Sequence, residues 1–318
     1  PGYTARAAFR WGDPISGSYP AFKQDGSNTG AEQEDQIGQH HDGIHYFPLA
    51  GFDANRRGVL AMNHEYIEQP YLFPTGTNFG GNRPADDVRK EIAAHGVSVF
   101  EIAKGADGQW GIVRGPYNRR ITGATPMEIT GPARGHPKMV TAYSTDGTRT
   151  RGTLNNCGNG YTPWGTYLTA EENWAGYYVN RDTSRPREHT RYGVPSTNSR
   201  YRWETVEARF DCGVKAASAS GDFRNEVNGQ GWIVEIDPYD ATSTPKKRTA
   251  MGRFAHEGAV FAPPRTGQPY VVYSGDDSQN EYIYKFVTRW VHVPDYFNKD
   301  ALAEGTLYVG KFNSDGTG

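Results

Sequence analysis

The sequence predicts an all-β protein, with a β-propeller as the architecture that suits it and a two-sheet sandwich as the structural competitor. Three observations lead there. Of 318 residues, 39 are Gly and 20 are Pro, which favours many turns between short strands over long helices. Leu, Ile, Val and Phe make up only about 16% of the chain, while 7 Trp, 20 Tyr and 14 Phe supply rings that can each bury roughly 150–250 Å². Short apolar alternations such as VSVFEI, WIVEID, YIYKFV and LYVGKF recur without a fixed period. So few aliphatics would suggest disorder in a highly charged chain, but the formal charge is only −2, and the rings can build a core.

Along the chain, residues 1–45 are polar and Gly-rich and read as an irregular covering segment around Gln39-His40-His41-Asp42. The first clear strand runs over 58–63. A helix is expected from Pro84 to Ala94, with Pro at its start, Asp86 and Asp87 in its first turn and Gly96 beyond its end. Residues 97–102 and 110–113 form a hairpin about Asp107-Gly108. Further strands are expected over 165–170, 231–236, 270–274, 281–287 and 305–312. Residues 173–211, rich in Arg, Ser, Thr and Asn, read as a long surface insertion with solvated arginines. The chain reads as one domain.

A near-neutral balance argues against a nucleic-acid binder, and no run approaches 18 apolar residues, so no membrane span is expected. Two Cys are too few for a disulfide scaffold. The start at Pro1 suggests a processed or trimmed N-terminus.

Four segments could carry chemistry. LNNCGNGYTPWGTYLTAEENW places Cys157 in an approachable Asn/Gly setting and ends on Glu171-Glu172. Strand alternation lets only one of those carboxylates face a given site. A thiolate beside carboxylates is unfavourable unless a cation lies between them, so Cys157 reads as a metal ligand, or else as a buried thiol. AMNHEY (with His64 and Glu65) and RFAHEG (with His256 and Glu257) present His-Glu pairs without the second His of a zinc-protease helix. YSGDD places Asp276 and Asp277 in a turn, which suits oxygen-ligated calcium or simple turn chemistry. Phosphate-loop, nucleophile-elbow and Cys-x-x-Cys motifs are absent. Cys212 reads as structural, and a Cys157–Cys212 disulfide stays open.

On these residues the sequence resembles the PhoX family of bacterial alkaline phosphatases, through GVLAMNHEY, GTLNNCGNGYTPWGTYLTAEEN, GRFAHEGAV, YSGDD with YIYKF, and LYVGKFNSDGTG, in that order. The resemblance implies a six-bladed β-propeller that hydrolyses phosphate monoesters with ferric iron and calcium bound at one end of its channel. It carries over Cys157 as an iron ligand and Glu65, Glu172 and Glu257 as metal-binding carboxylates, these four forming the expected catalytic centre. Glu172 is preferred to its neighbour Glu171, and Asp276 and Asp277 are further metal candidates. The resemblance also implies a later Arg-Pro-Glu motif that this sequence lacks, so the chain is expected to be the N-terminal portion of a longer propeller and inactive without the rest. It implies a monomer exported folded by the twin-Arg route to the periplasm or beyond.

The mechanism expected is metal-assisted hydrolysis with a metal-bound oxide or hydroxide as nucleophile, and with Cys157 holding iron without attacking phosphorus. The rivals are a non-catalytic calcium-stabilised binding module and a calcium-dependent lactonase-like propeller. Iron found together with calcium would separate the phosphatase from both.

Overall fold

The computed structural model describes residues 2–77 and 83–317. Its strands form three sheets. The first runs β1 (His41–Pro48), β2 (Arg57–His64), β3 (Gly96–Lys104), β4 (Trp110–Val113), with β5 (Arg119–Ile121) also paired to β3. The second contains β6 (Pro126–Thr130), β7 (Arg149–Arg151), β8 (Asn156–Tyr161), β9 (Tyr167–Glu171), β10 (Ile233–Ile236) and β11 (Lys246–Arg248), in the order β7-β6-β11-β10-β9-β8. The third runs β12 (His256–Phe261), β13 (Pro269–Asp276), β14 (Ile283–Val291), β15 (Gly305–Val309). Neighbours are antiparallel except β6 and β11, which pair in parallel.

Each sheet contains one four-stranded meander: β1–β4, β8–β11 and β12–β15. The first strand of each meander is a sheet edge, and these edges meet, because β8 packs against both β1 and β12. Sheets that converge on their first strands are blades around a common axis, so the fold is all-β and propeller-like. The convergence is too close for side chains at some positions. A Cβ on Gly160 would sit 1.8 Å from the Ala259 carbonyl oxygen, and one on Gly43 would sit 2.7 Å from the Asn159 Cβ.

All three inner strands carry the same irregularity. Pairing steps from His41↔His64 to Ile44↔Met62, from Asn156↔Glu171 to Asn159↔Thr169, and from Glu257↔Gly275 to Val260↔Tyr273. Two residues oppose one each time, so each blade has a one-residue bulge at one end of its inner hairpin. Bulges re-aim side chains, and here they do so at the same end of every blade.

The expected hairpin is β3–β4, and the expected helix is α3 (Ala85–Ala93); α1 (Gly30–Gln33), α2 (Gln69–Leu72) and α4 (Arg187–Arg191) are single turns. Two sequence readings need correction. β1 begins at His41, so the irregular covering segment ends there and not at residue 45. Residues 173–211 are no solvated insertion: Trp174, Tyr177, Tyr178, Tyr201, Trp203 and Phe210 are buried in one cluster with Val88 and Ile92 of α3 and with Cys212. Truncating a buried ring of this kind costs about 3–5 kcal/mol. Arg209 is itself buried, paired with Glu207 at 2.7 Å and donating to the Gly123 carbonyl at 2.8 Å.

No helix among the described residues is long and apolar enough to cross a membrane.

Candidate metal centre

The bulged end of the blades gathers the acids. In each blade two positions supply them: the second residue of the inner strand, and the residue just after the next strand. The first set is Asp42, Cys157 and Glu257, and the second is Glu65, Glu172 and Asp277. The Cys157 Sγ lies 3.5 Å from Asp42 Oδ2 and 3.4 Å from Glu257 Oε1. Donor atoms of Glu65, Cys157 and Glu172 lie within 4.8 Å of one another, the arrangement a bound cation needs. Asp277 hydrogen-bonds with Glu172. Cys157 and Glu172 are buried, Glu65 is half-buried, and Asp42, Glu257 and Asp277 form the exposed mouth.

The frame behind these side chains is polar and tightly bonded. Asn63 donates to the Cys157 and Gly158 carbonyls at 2.5 and 3.1 Å, and its own side-chain oxygen accepts from the Tyr167 hydroxyl at 2.9 Å. Asn155, at φ +53°, accepts from the Glu172 amide at 3.0 Å through its carbonyl and from the Asn173 amide at 2.6 Å through its side chain. His40, at φ +46°, accepts from the Glu65 amide at 2.9 Å. Asn155 and His40 are non-glycine residues in left-handed backbone, a cost of about 1–3 kcal/mol each that rigid surroundings sustain at functional sites.

The electrostatics are those of crowded, partly buried acids. Burial first, then Asp277 and Glu65, raise the Glu172 carboxyl from 4.5 to about 7. Burial and Asp42 raise Glu65, with Arg200 opposing them. Burial, Asp42 and Glu172 hold the Cys157 thiol far above its ordinary range. A cation reverses each of these penalties, because ligands bind it deprotonated. The donor set fits two kinds of ion: a thiolate suits a transition metal, and flexible carboxylates suit calcium.

The structure thus brings together Glu65, Cys157, Glu172, Glu257 and Asp277. It separates Glu171 and Asp276 from them. Glu171 points to the opposite face, where it pairs with buried Lys247 and accepts from the Gly231 and Trp232 amides at 2.9 and 3.0 Å. Asp276 caps its own turn by accepting from the Ser278 amide at 3.1 Å, and its charge acts on Arg191 and Tyr284. Cys157 and Cys212 are both free thiols, so no disulfide removes Cys157.

Asp42 was not among the residues singled out from sequence. A signal for it exists: His41-Asp42-Gly43, Asn156-Cys157-Gly158 and His256-Glu257-Gly258 are one motif repeated on the three inner strands. The two known members locate the third.

The profile of the family described as Alkaline phosphatase PhoX matches residues 1–318. Among solved structures, the chain is similar to Pseudomonas fluorescens PhoX in complex with vanadate, a transition state analogue, with 42% identity and a TM-score of 0.89, covering 98% of this chain and 52% of that one. No curated protein matches. The chain therefore spans about half the length of that relative and belongs to the PhoX alkaline phosphatase family, a family of metal-dependent phosphatases.

Proposed function

We propose that this chain forms the metal-holding part of an enzyme that hydrolyses phosphate monoesters, with ferric iron and calcium as the resident cations. The observation that supports it is the convergence of Glu65, Cys157 and Glu172, with Asp42 and Glu257 on the same sulfur, at one end of three blades. That the similar Pseudomonas protein was captured with vanadate, a transition state analogue, supports a phosphoryl-transfer chemistry. Three blades in a chain that spans 52% of its relative also support six blades for the whole. Export to the periplasm in folded form, as a monomer, belongs to the same reading.

Cations held here would supply Lewis acidity that neutralises charge building on phosphoryl oxygens. The chain's own residues do the rest. Cys157 and Glu172, buried, form the floor; Glu65, Asp42, Glu257 and Asp277 close the ring at the mouth. Asn63 and Asn155 fix the strand ends through main-chain bonds, so donor positions depend little on side-chain freedom. Cys157 acts as a ligand and not as a nucleophile, since its acidic neighbours oppose a free thiolate.

The test is phosphate release from 4-nitrophenyl phosphate by the intact native protein, with and without a calcium chelator, alongside elemental analysis. Iron with calcium and chelator-sensitive turnover are expected; calcium alone without turnover would instead indicate a binding module. Cys157→Ala should remove iron and lower turnover by more than about 100-fold, beyond the roughly 10- to 100-fold seen when only a metal ligand's surroundings are altered. Iron and activity both retained in that variant would sink the assignment.

A further inference from the structure

Three arginines of the aromatic segment have carboxylate partners: Arg181 pairs with Glu204 and Asp211, Arg191 with Glu281 and Arg209 with Glu207. Arg200 has no such partner among the described residues, and it is exposed. It is nonetheless held in place. Its amide donates to the Gly176 carbonyl at 2.7 Å, and its guanidinium lies over the Tyr177 ring, 5.5 Å from the centroid. Its side chain also packs over Gly176, where a Cβ would lie in ordinary contact, 3.6 Å from Arg200 Nε.

This aromatic bed is fastened to the acidic centre. The Tyr177 hydroxyl donates to the Glu65 carbonyl at 3.4 Å and meets Asn155 Nδ2 at 3.5 Å, and Asn155 in turn holds the Glu172 amide. A guanidinium held over a ring, free of a carboxylate ion pair and set beside a cluster of acids is placed for an incoming anion. The anion the proposed reaction brings is a phosphoryl group. Its oxygens carry two negative charges in a monoester and one in a diester, so a fixed cation at the rim favours the monoester.

We propose that Arg200 is a substrate-binding residue whose guanidinium engages non-bridging phosphoryl oxygens and so biases the site toward dianionic monoesters. The proposal rests on the phosphatase reading. In the full-length, metal-loaded enzyme, Arg200→Met should raise KM for 4-nitrophenyl phosphate and weaken inhibition by inorganic phosphate, each by roughly 10- to 100-fold, the value of a charge-assisted bond. The KM for bis(4-nitrophenyl) phosphate should change by less than about threefold, given the weaker charge it presents. Arg200→Lys should fall between, and metal content and melting temperature should match the parent. An active parent whose Arg200→Met variant keeps its KM and its phosphate inhibition overturns this proposal alone. So does a variant that loses metal or melts lower in step with activity, which would make Arg200 a brace. A parent that turns over neither ester overturns the phosphatase reading instead.

Discussion

Glu171 and Glu172 are adjacent in sequence and opposite in fate. Glu171 ends β9 facing the interior of its blade, fully buried, with Lys247 and two backbone amides to compensate its charge. Glu172 lies one residue on, nearly as buried, and meets Cys157, Glu65 and Asp277. The buried pairs Arg83–Glu91 and Arg248–Glu235 belong with Glu171. Acids that carry their own cation are structural; the acids crowded around Cys157 are those that the proposed cations would neutralise.

The contrast breaks most sharply at Glu171. Glu171→Gln leaves Lys247 charged and buried with its partner neutralised, which should cost about 3–5 kcal/mol in chemical denaturation. Adding Lys247→Met should recover most of it. Glu172→Gln should do the reverse in metal-free protein, raising the melting temperature at pH 8 while weakening metal uptake. Equal losses from both single variants would erase the distinction.

A second, intermediate effect follows from pH. Because Glu172 titrates at about 7 folded against an ordinary 4.5, its proton is held more tightly in the folded state. The associated stability is complete below about pH 4.5 and is lost as pH rises through 7. The melting temperature of metal-free protein should therefore fall over that interval by a few degrees, and cation loading should remove the slope. A flat metal-free profile would show that Glu172 is not crowded in solution.

The smallest effect sharpens the comparison at the third blade, where Asp276 and Asp277 repeat the pattern. Asp276→Asn should change stability by less than about 0.5 kcal/mol and leave metal content alone, as surface substitutions away from the core do. Asp277→Asn should reduce metal content measured by elemental analysis. The opposite ranking would place the ligand at Asp276.

Strand parity made part of this legible in advance: alternation demanded that only one of Glu171 and Glu172 face the centre, and the one facing Cys157 is Glu172. β1 was hidden because it is only partly covered; of His41–Pro48 only Phe47 is buried, so no period-two pattern marks it. Asp42 was hidden with it. Residues 173–211 were misread because their core formers are Trp, Tyr and Phe dispersed among Arg and Ser, and counting aliphatics misses a core made of rings. Asp276 kept its turn role because Asp favours turns for local reasons that a sequence cannot separate from ligation.

The bulges shared by β1, β8 and β12 have a mechanical consequence. They aim donors from three blades at one point, joining residues 115 and 100 positions apart through a single sulfur. An ion gripped there acts as a removable cross-link closing very long loops, and a covalent link across about 100 residues is worth about 4–5 kcal/mol in chain entropy. Where the blades meet they touch through glycine backbone, which interlocks little. The ion would therefore set the pitch between blades as a keystone sets an arch, and loading it would complete the fold as well as prepare the chemistry.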